Sequence, residues 1–444
     1  MSRQNRRQFL RTTAALGAGF WVAGRSEGDQ GKSPSEKIRF ACIGIDGKGS
    51  SDTADAARHG DVVAICDVDD DRLGKAGERY PRAKKFTDFR KLFDEMGKGI
   101  DAVTVSTPDH THAVASAMAL RSGKHCFTQK PLTRTIWEAR QLGKLAQEAK
   151  VATQMGNQGT ASGGLRKAAA LVRAGILGPV KEVHVWTNRP IWPQGGPRPA
   201  KAPVPDNLHW DLWLAAAPER PYGRGYHPFS WRGFWAFGTG ALGDMACHTM
   251  NMPFMALDLR DPVSVEAESA ENNKESFPRW SVIRYQFPAR GKRPALALTW
   301  YDGGKRPDPA KIKGLPADAL KVKTKKGTES ASSGSLIVGE KGFLFAPGDN
   351  GGGYRLIGDV KEVKVEYPPS PGHFAEFVRA IRGGPAPMSN FTTYAGPLTE
   401  TVLLGNLAVW AGKKVEWNAR ELKATNAPEV EGLVRPTYRK GYRL

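Results

Sequence analysis

The segment Gly238-Thr239-Gly240-Ala241-Leu242-Gly243-Asp244-Met245-Ala246-Cys247-His248 sets a carboxylate and an imidazole four residues apart. On a helix that spacing puts Asp244 and His248 on one face. Taking hydride from a secondary alcohol needs a base for the hydroxyl proton and positive charge beside the alkoxide that develops. Histidine is the side chain whose ordinary pKa suits such a base near neutrality. The same spacing also fits a helix N-terminal Asp beside a hydrogen-bonded core His, so the rest of the chain must decide between chemistry and packing.

The elements that would position this pair begin at residue 37. A strand over 38–45, a helix over 53–58, a strand over 62–67 and a helix opened by Asp69-Asp70-Asp71 follow the βαβ rhythm of a parallel sheet. The first turn, Gly44-Ile45-Asp46-Gly47-Lys48-Gly49, reads as G-x-G-x-x-G with Asp46 at the second glycine. Its glycines permit a tight turn and let a pyrophosphate reach the amides of a helix N-terminus. Asp46 would repel that pyrophosphate unless it points away or Gly47 takes over the close approach. Asp67 ends the second strand 23 positions after Gly44, where an acidic side chain accepts hydrogen bonds from ribose hydroxyls and repels a 2′-phosphate. NAD is therefore favoured over NADP. Alternation continues through 100–106, a helix over about 111–122, a strand over 125–128, a helix opened by the capping box Thr135-x-x-Glu138, and a strand over 151–155. Two strand-end loops, Ser106-Thr107-Pro108-Asp109-His110-Thr111-His112 and Thr128-Gln129-Lys130-Pro131, face the ligand crevice of such a sheet.

This order of a Gly-rich turn, S-T-P-x-H-x-H, x-K-P, Gly156-Asn157-Gln158 and Asp244-x-x-x-His248 resembles the Gfo/Idh/MocA family, the glucose-fructose oxidoreductase and inositol dehydrogenase group. The resemblance runs from about residue 37 to the C-terminus. It implies that Thr107, Pro108, His110, His112, Gln129, Lys130, Asn157 and Gln158 join Gly44, Asp46, Gly47, Gly49 and Asp67 in seating the dinucleotide, with His110 and His112 at the nicotinamide and ribose. It further implies that Lys130 and His248 share proton transfer and alkoxide stabilisation, while Asp244 orients the substrate hydroxyls. The family has Glu before the Lys-Pro, whereas this chain has Gln129. That exchange removes an anionic partner able to orient the lysine and shift its pKa.

Beyond residue 180, strand-like runs over 180–186, 281–287, 295–300 and 335–338 are joined by long Pro/Gly-rich loops. They predict an α+β domain with an open, mostly antiparallel sheet. The expected organisation is a signal peptide and linker over 1–36, a doubly wound Rossmann domain over 37–158 and a substrate domain over 159–444. Helices over 374–382 and 397–410 are expected to return between the two domains. Trp186, Trp192, Trp210, Trp213, Trp231 and Trp235 lie within one stretch of loops and strand. Packing is the commoner use of Trp and stacking on a sugar ring the other; Trp231 is the one assigned to the substrate.

Composition narrows the remaining classes. The net charge of +20 over 444 residues raises nucleic acid as a partner. The basic residues are spread along the chain without zinc-finger, basic-zipper or RNA-binding signatures, so no nucleic acid is expected. The densest basic stretch, 311–326, carries six lysines and reads as a solvated loop, or else as a charged face for an acidic glycan. Cys42, Cys66, Cys126 and Cys247 form no C-x-x-C pair and are expected as buried free thiols. His110, His112, His125, Cys126, Cys247 and His248 lack local zinc spacings, and no metal is expected. No apolar run reaches the roughly 18 residues of a spanning helix. Arg6-Arg7-Gln8-Phe9-Leu10 and the short apolar run after it resemble a twin-arginine signal, which predicts export to the periplasm or beyond.

The combined expectation is an NAD-dependent oxidoreductase acting on a secondary hydroxyl of a sugar, sugar alcohol or glycoside. The alternative is a glycoside-cleaving enzyme working by transient oxidation, and a third reading is a non-catalytic assembly or sugar-binding protein. A homo-oligomer is expected from the resemblance.

Overall fold

Short apolar runs interrupted by glycine and capped helix starts build the first sheet. The computed structural model describes residues 36–444, so the signal expected over 1–36 lies, but for Glu36, outside the described residues. Strands β1 (Ile38–Ile43), β2 (Gly60–Cys66), β3 (Lys84–Phe86), β4 (Ala102–Val105), β5 (His125–Thr128) and β6 (Thr153–Met155) are all parallel, in the order β3-β2-β1-β4-β5-β6. The order reverses between β1 and β4, and a crevice opens there beyond their carboxyl ends. All four residues of β4 are buried, as a strand covered on both faces requires.

Helix α1 (Lys48–His59) starts five residues before the position its periodicity predicts. Asp69 caps α2 (Asp70–Arg79), and Asp88 caps α3 (Phe89–Met96), a helix the sequence reading did not foresee. Helix α4 (Asp109–Arg121) also starts early, directly after Pro108. The capping box Thr135/Glu138 opens α5 (Ile136–Ala149) as expected and stabilises it by about 1 kcal/mol. Helix α6 (Gly163–Arg173), also unforeseen, then leads to the second sheet.

That sheet contains β7 (Val180–Trp186), β8 (Ser264–Ser269), β9 (Ser281–Phe287) and β10 (Leu296–Tyr301). A separate hairpin, β11 (Lys321–Thr324) and β12 (Gly327–Ser330), precedes β13 (Gly334–Gly339), β14 (Phe343–Pro347), β15 (Arg355–Ile357), β16 (Val415–Asn418) and β17 (Lys423–Ala424). The nine-stranded order is β15-β14-β13-β7-β10-β9-β8-β16-β17, antiparallel except where β7 meets β10. Between its strands lie α7 (Trp210–Leu214), α8 (Gly240–Thr249), α9 (Asn251–Leu257), α10 (His373–Ile381) and α11 (Gly396–Ala411).

Helix α11 is buried on nearly every side and packs against α5, α8 and β8. Tyr285 Oη of β9 donates to the Val402 carbonyl at 3.0 Å. Full burial of each of Leu398, Leu403, Leu404 and Leu407 stabilises this junction by about 1.5–3 kcal/mol. Helix α10 packs against the first half, His373 holding Gln154 and Met155 while Glu376 pairs with Arg166 of α6. Its Phe374, Phe377 and Val378 join Phe40 and Phe127 in a core on one face of the parallel sheet. The basic stretch over 311–326 is more than a solvated loop, because Ile312, Leu315, Ala319 and Leu320 bury against Trp186 and Phe345. The four cysteines are buried and free.

Candidate active site

A cleft of about 630 Å³ runs from the β1–α1 turn to α8, within the size range of ligand and cofactor sites. At its first end the binding surface is backbone. Gly44 has φ +76°, and a Cβ there would lie 2.5 Å from the Ser106 carbonyl oxygen. Gly47 has φ +56°, and a Cβ there would meet nothing within 4 Å, so the backbone stands open to the cleft at the start of α1. This is the close approach that a pyrophosphate needs. Gly49 lies beneath the turn rather than in the cleft, because a Cβ there would collide with the Gly44 carbonyl.

The concern over Asp46 resolves in the side chains. Its carboxylate, which lines the cleft, pairs with Arg72 at 3.2 Å, and that positive charge offsets the repulsion of a pyrophosphate. Asp67 accepts the Ile45 and Asp69 amides at 3.1 Å, one on each oxygen, so lone pairs remain for ribose hydroxyls. Burial pushes its pKa up to about 6, against those two hydrogen bonds. The cradle therefore fits a dinucleotide. Thr107, Pro108, Gln129 and Gln158 complete this wall.

An arm of the second half, residues 188–238, reaches this same end and fastens to it. His209 N donates to the Val68 carbonyl at 2.9 Å, and Asp70 N donates to the Asn207 carbonyl at 2.8 Å. Asn207 Nδ2 donates to Asp69 at 3.0 Å, and His227 Nε2 lies 3.0 Å from the other oxygen of Asp69. Arg72 and His227 line the cleft, and neither was foreseen.

At the far end, Lys130 Nζ donates to Asp244 Oδ1 at 2.7 Å and to the Asp244 carbonyl at 2.9 Å. Gly240 and Gly243 let α8 lie against Phe277 and Thr239, where side chains would collide. Asn406 of α11 donates to the Thr239 carbonyl at 3.0 Å and holds the start of α8. Burial alone would raise the Asp244 pKa, but Lys130 and Arg232 outweigh it and hold the carboxyl below its ordinary value. His248 faces the same cleft, with its buried Nδ1 lacking any hydrogen-bond partner. Burial, helped by Lys130, pushes its pKa down to about 3, so its imidazole is neutral near pH 7. Arg232 lies 3.6 Å from Asp244 and stacks over the Trp231 ring at 4.3 Å.

Besides Gly49, three more expected cofactor residues lie outside the cleft. His110 points into an aromatic core, its Nε2 donating to the Trp213 carbonyl at 2.9 Å and its ring 5.2 Å from that of Phe237. His112 sits behind the wall, its ring nitrogens 2.8 Å from the Thr107 and Pro131 carbonyls, where it ties the two strand-end loops together. Both rings turn inward because α4 begins at Asp109, which puts them on its buried first turn. Asn157 is fully buried and accepts from Ser389. Of the six clustered tryptophans, Trp192, Trp213 and Trp231 line the cleft; all six are less than 10% exposed, so packing dominates even for those three. Sequence reasoning missed Lys48, Ser106, Arg189 and Arg232 in the lining, of which only Lys48 and Ser106 carried a signal, each lying within a motif already noted.

Residues 38–157 match the profile of an oxidoreductase family described by its NAD-binding Rossmann fold, and residues 165–296 match that family's C-terminal alpha/beta domain. A glycosyl hydrolase family 109 protein of Solibacter usitatus is 30% identical over 157 residues, 31% of this chain and 36% of that protein. Levoglucosan dehydrogenase of Pseudarthrobacter phenanthrenivorans is 23% identical over 188 residues, 42% of this chain and 40% of that enzyme. The chain thus spans about a third of the length of the family 109 relatives it matches. The solved structure of WlbA dehydrogenase from Chromobacterium violaceum, in complex with NADH and UDP-GlcNAcA, gives a TM-score of 0.61 over 87% of this chain and 98% of that one at 18% identity. At that identity the likeness is one of fold. With two consecutive domain profiles matched and a dinucleotide cradle leading to a Lys-Asp-His cluster, the chain belongs to the Gfo/Idh/MocA family of NAD-binding oxidoreductases.

Proposed function

We propose that this protein withdraws hydride from a secondary hydroxyl of a sugar, sugar alcohol or glycoside, using NAD. The observation that carries this reading is the meeting of Lys130, Asp244 and a neutral His248 at one end of the dinucleotide cleft. Bound NAD supplies the hydride acceptor. His248 takes the hydroxyl proton, and Lys130, fixed by Asp244, places positive charge beside the alkoxide. Asp244 stays ionised and accepts from a neighbouring hydroxyl of the substrate. Levoglucosan dehydrogenase among the relatives supports the substrate class.

A second reading rests on the family 109 relatives and on the arm fastened over the adenosine end. There, oxidation at one sugar carbon acidifies the neighbouring C–H. A base removes that proton, the aglycone leaves, water adds, and the hydride returns to the carbonyl. The net reaction is hydrolysis without net oxidation, which suits an exported enzyme whose cofactor is not replenished. Export and self-association belong to the same proposal; sedimentation as a monomer at micromolar concentration would refute the latter.

The deciding measurement is 340 nm absorbance during addition of sugars and glycosides to the purified protein with NAD. A lasting rise supports the dehydrogenase. A transient rise that returns to baseline as aglycone appears supports the hydrolase, and activity that persists after complete removal of nicotinamide would overturn both.

A further inference from the structure

Behind the wall of the cleft lies Asp52, a carboxylate on α1 that is 1% exposed and does not itself line the cavity. Its Oδ1 accepts from Lys48 Nζ at 2.7 Å. Its Oδ2 accepts from Ser106 Oγ and from Gln129 Nε2, each at 2.7 Å. The three donors come from three elements: the first turn of α1, the loop after β4 and the loop after β5. All three line the cleft. Gln129 Oε1 in turn accepts the backbone amide of Lys130 at 3.4 Å. The Gln129 head lies directly against Gly156, where a Cβ would collide with its Nε2.

One buried acceptor therefore joins the dinucleotide turn to the loop that carries the reactive lysine. A carboxylate offers only acceptors, and the amide at 129 offers the donor that matches it. A glutamate at 129 would instead set two acceptors against each other at hydrogen-bond distance with no proton between them. We infer that Asp52 is a positioning residue that registers the Lys130 loop against the cofactor turn, and that it carries in this chain the negative charge that position 129 lacks. The inference rests on the dinucleotide reading of the cleft and is independent of which sugar reaction follows.

The test is a charge swap read by NADH titration, following protein fluorescence, and by thermal melting of the same four proteins without cofactor. D52N and Q129E are nearly isosteric with the native side chains, so a space-filling role would leave both silent. The expected result is a rise in NADH Kd of about 10-fold in each single variant and a Tm lower by about 5 °C in Q129E. The double variant D52N/Q129E restores a matched donor and acceptor, and its Kd is expected within about 3-fold of the wild type. A double variant no better than the worse single one, or a D52N protein that binds NADH and melts as the wild type does, would overturn the inference. If Q129E alone fails to fold, recovery of a folded, NADH-binding double variant is the supporting result and its failure to fold the refuting one. A wild type that binds no NADH would instead refute the dinucleotide reading, while the melting data still test the pairing itself.

Discussion

At the dinucleotide end of the cleft the surface that meets a ligand is largely main chain: Gly44 and Gly47 at positive φ, then the first amides of α1. At the other end it is side chain, with Lys130, Asp244, His248 and Arg232 brought from β5, α8 and the long arm. Backbone surfaces depend on local chain geometry, so a few consecutive residues determine them. A side-chain constellation depends on how distant elements pack, and α11, itself packed on α5, holds α8 in place. Damage at one end should therefore read out as binding and folding, and damage at the other as chemistry.

The largest effect expected is on turnover. Lys130→Ala and His248→Ala should each lower kcat/KM at least ~100-fold, about 2.7 kcal/mol of transition-state stabilisation, on any substrate identified at 340 nm. NADH affinity should stay within about 3-fold of the wild type. A parallel collapse of NADH binding would show that the two ends are not separable. Gly44→Ala should do the reverse. Its Cβ meets the Ser106 carbonyl oxygen at 2.5 Å and its φ is left-handed, so a loss of about 2–4 kcal/mol in denaturant unfolding is expected, with NADH binding lost alongside.

The same division explains what the sequence made legible. The Gly turn, Asp67, the capping box at Thr135 and the Asp244/His248 spacing are all local, and each is found where its pattern places it. Asp52 was overlooked for a local reason: reading α1 from residue 53 instead of Lys48 hid the turn on which Asp52 faces Ser106 and Gln129. Reading α4 from 111 instead of Asp109 likewise turned His110 and His112 outward on paper, whereas the first turn of the helix buries both. Asn207, His227 and Arg232 had no local signal, because their partners Asp69 and Asp244 are fixed by the tertiary path of an irregular arm.

Two buried histidines give a pH test of intermediate size. Burial pushes His110 and His248 each down to about 3, so both stay neutral in the fold while the unfolded chain binds protons below about 6.5. Their contribution to stability is complete above pH 6.5 and is lost as pH falls toward 3. At pH 4.5 the loss is about 3 kcal/mol for each. Asp67 and Asp302, raised by burial to about 6, act in the opposite sense and are common to wild type and variant. His110→Asn should therefore be less stable at neutral pH yet lose less stability between pH 7 and 4.5, by about 3 kcal/mol in chemical denaturation. An unchanged pH slope would mean that His110 is protonated in the fold.

The smallest effect concerns the arm that crosses from the side-chain end to the backbone end. His227 lies 3.0 Å from Asp69 and lines the cleft, where it helps close the region beside Asp67 and Arg72. Its pKa is lowered, chiefly by burial, so at neutral pH the contact with Asp69 is a hydrogen bond from a neutral ring. Such a bond stabilises by about 0.5–1.5 kcal/mol, and the backbone bonds from Asp70 and His209 remain when it is removed. His227→Ala should accordingly raise the NADH dissociation rate by only about 3- to 10-fold, measured by stopped-flow displacement with excess NAD. Turnover at saturating NAD should be unchanged if chemistry limits the cycle, and faster if cofactor exchange limits it. An NADH dissociation rate equal to that of the wild type would mean that the arm is fastened to the dinucleotide half without restraining what binds beneath it, and the support it lends to a retained cofactor would fall away.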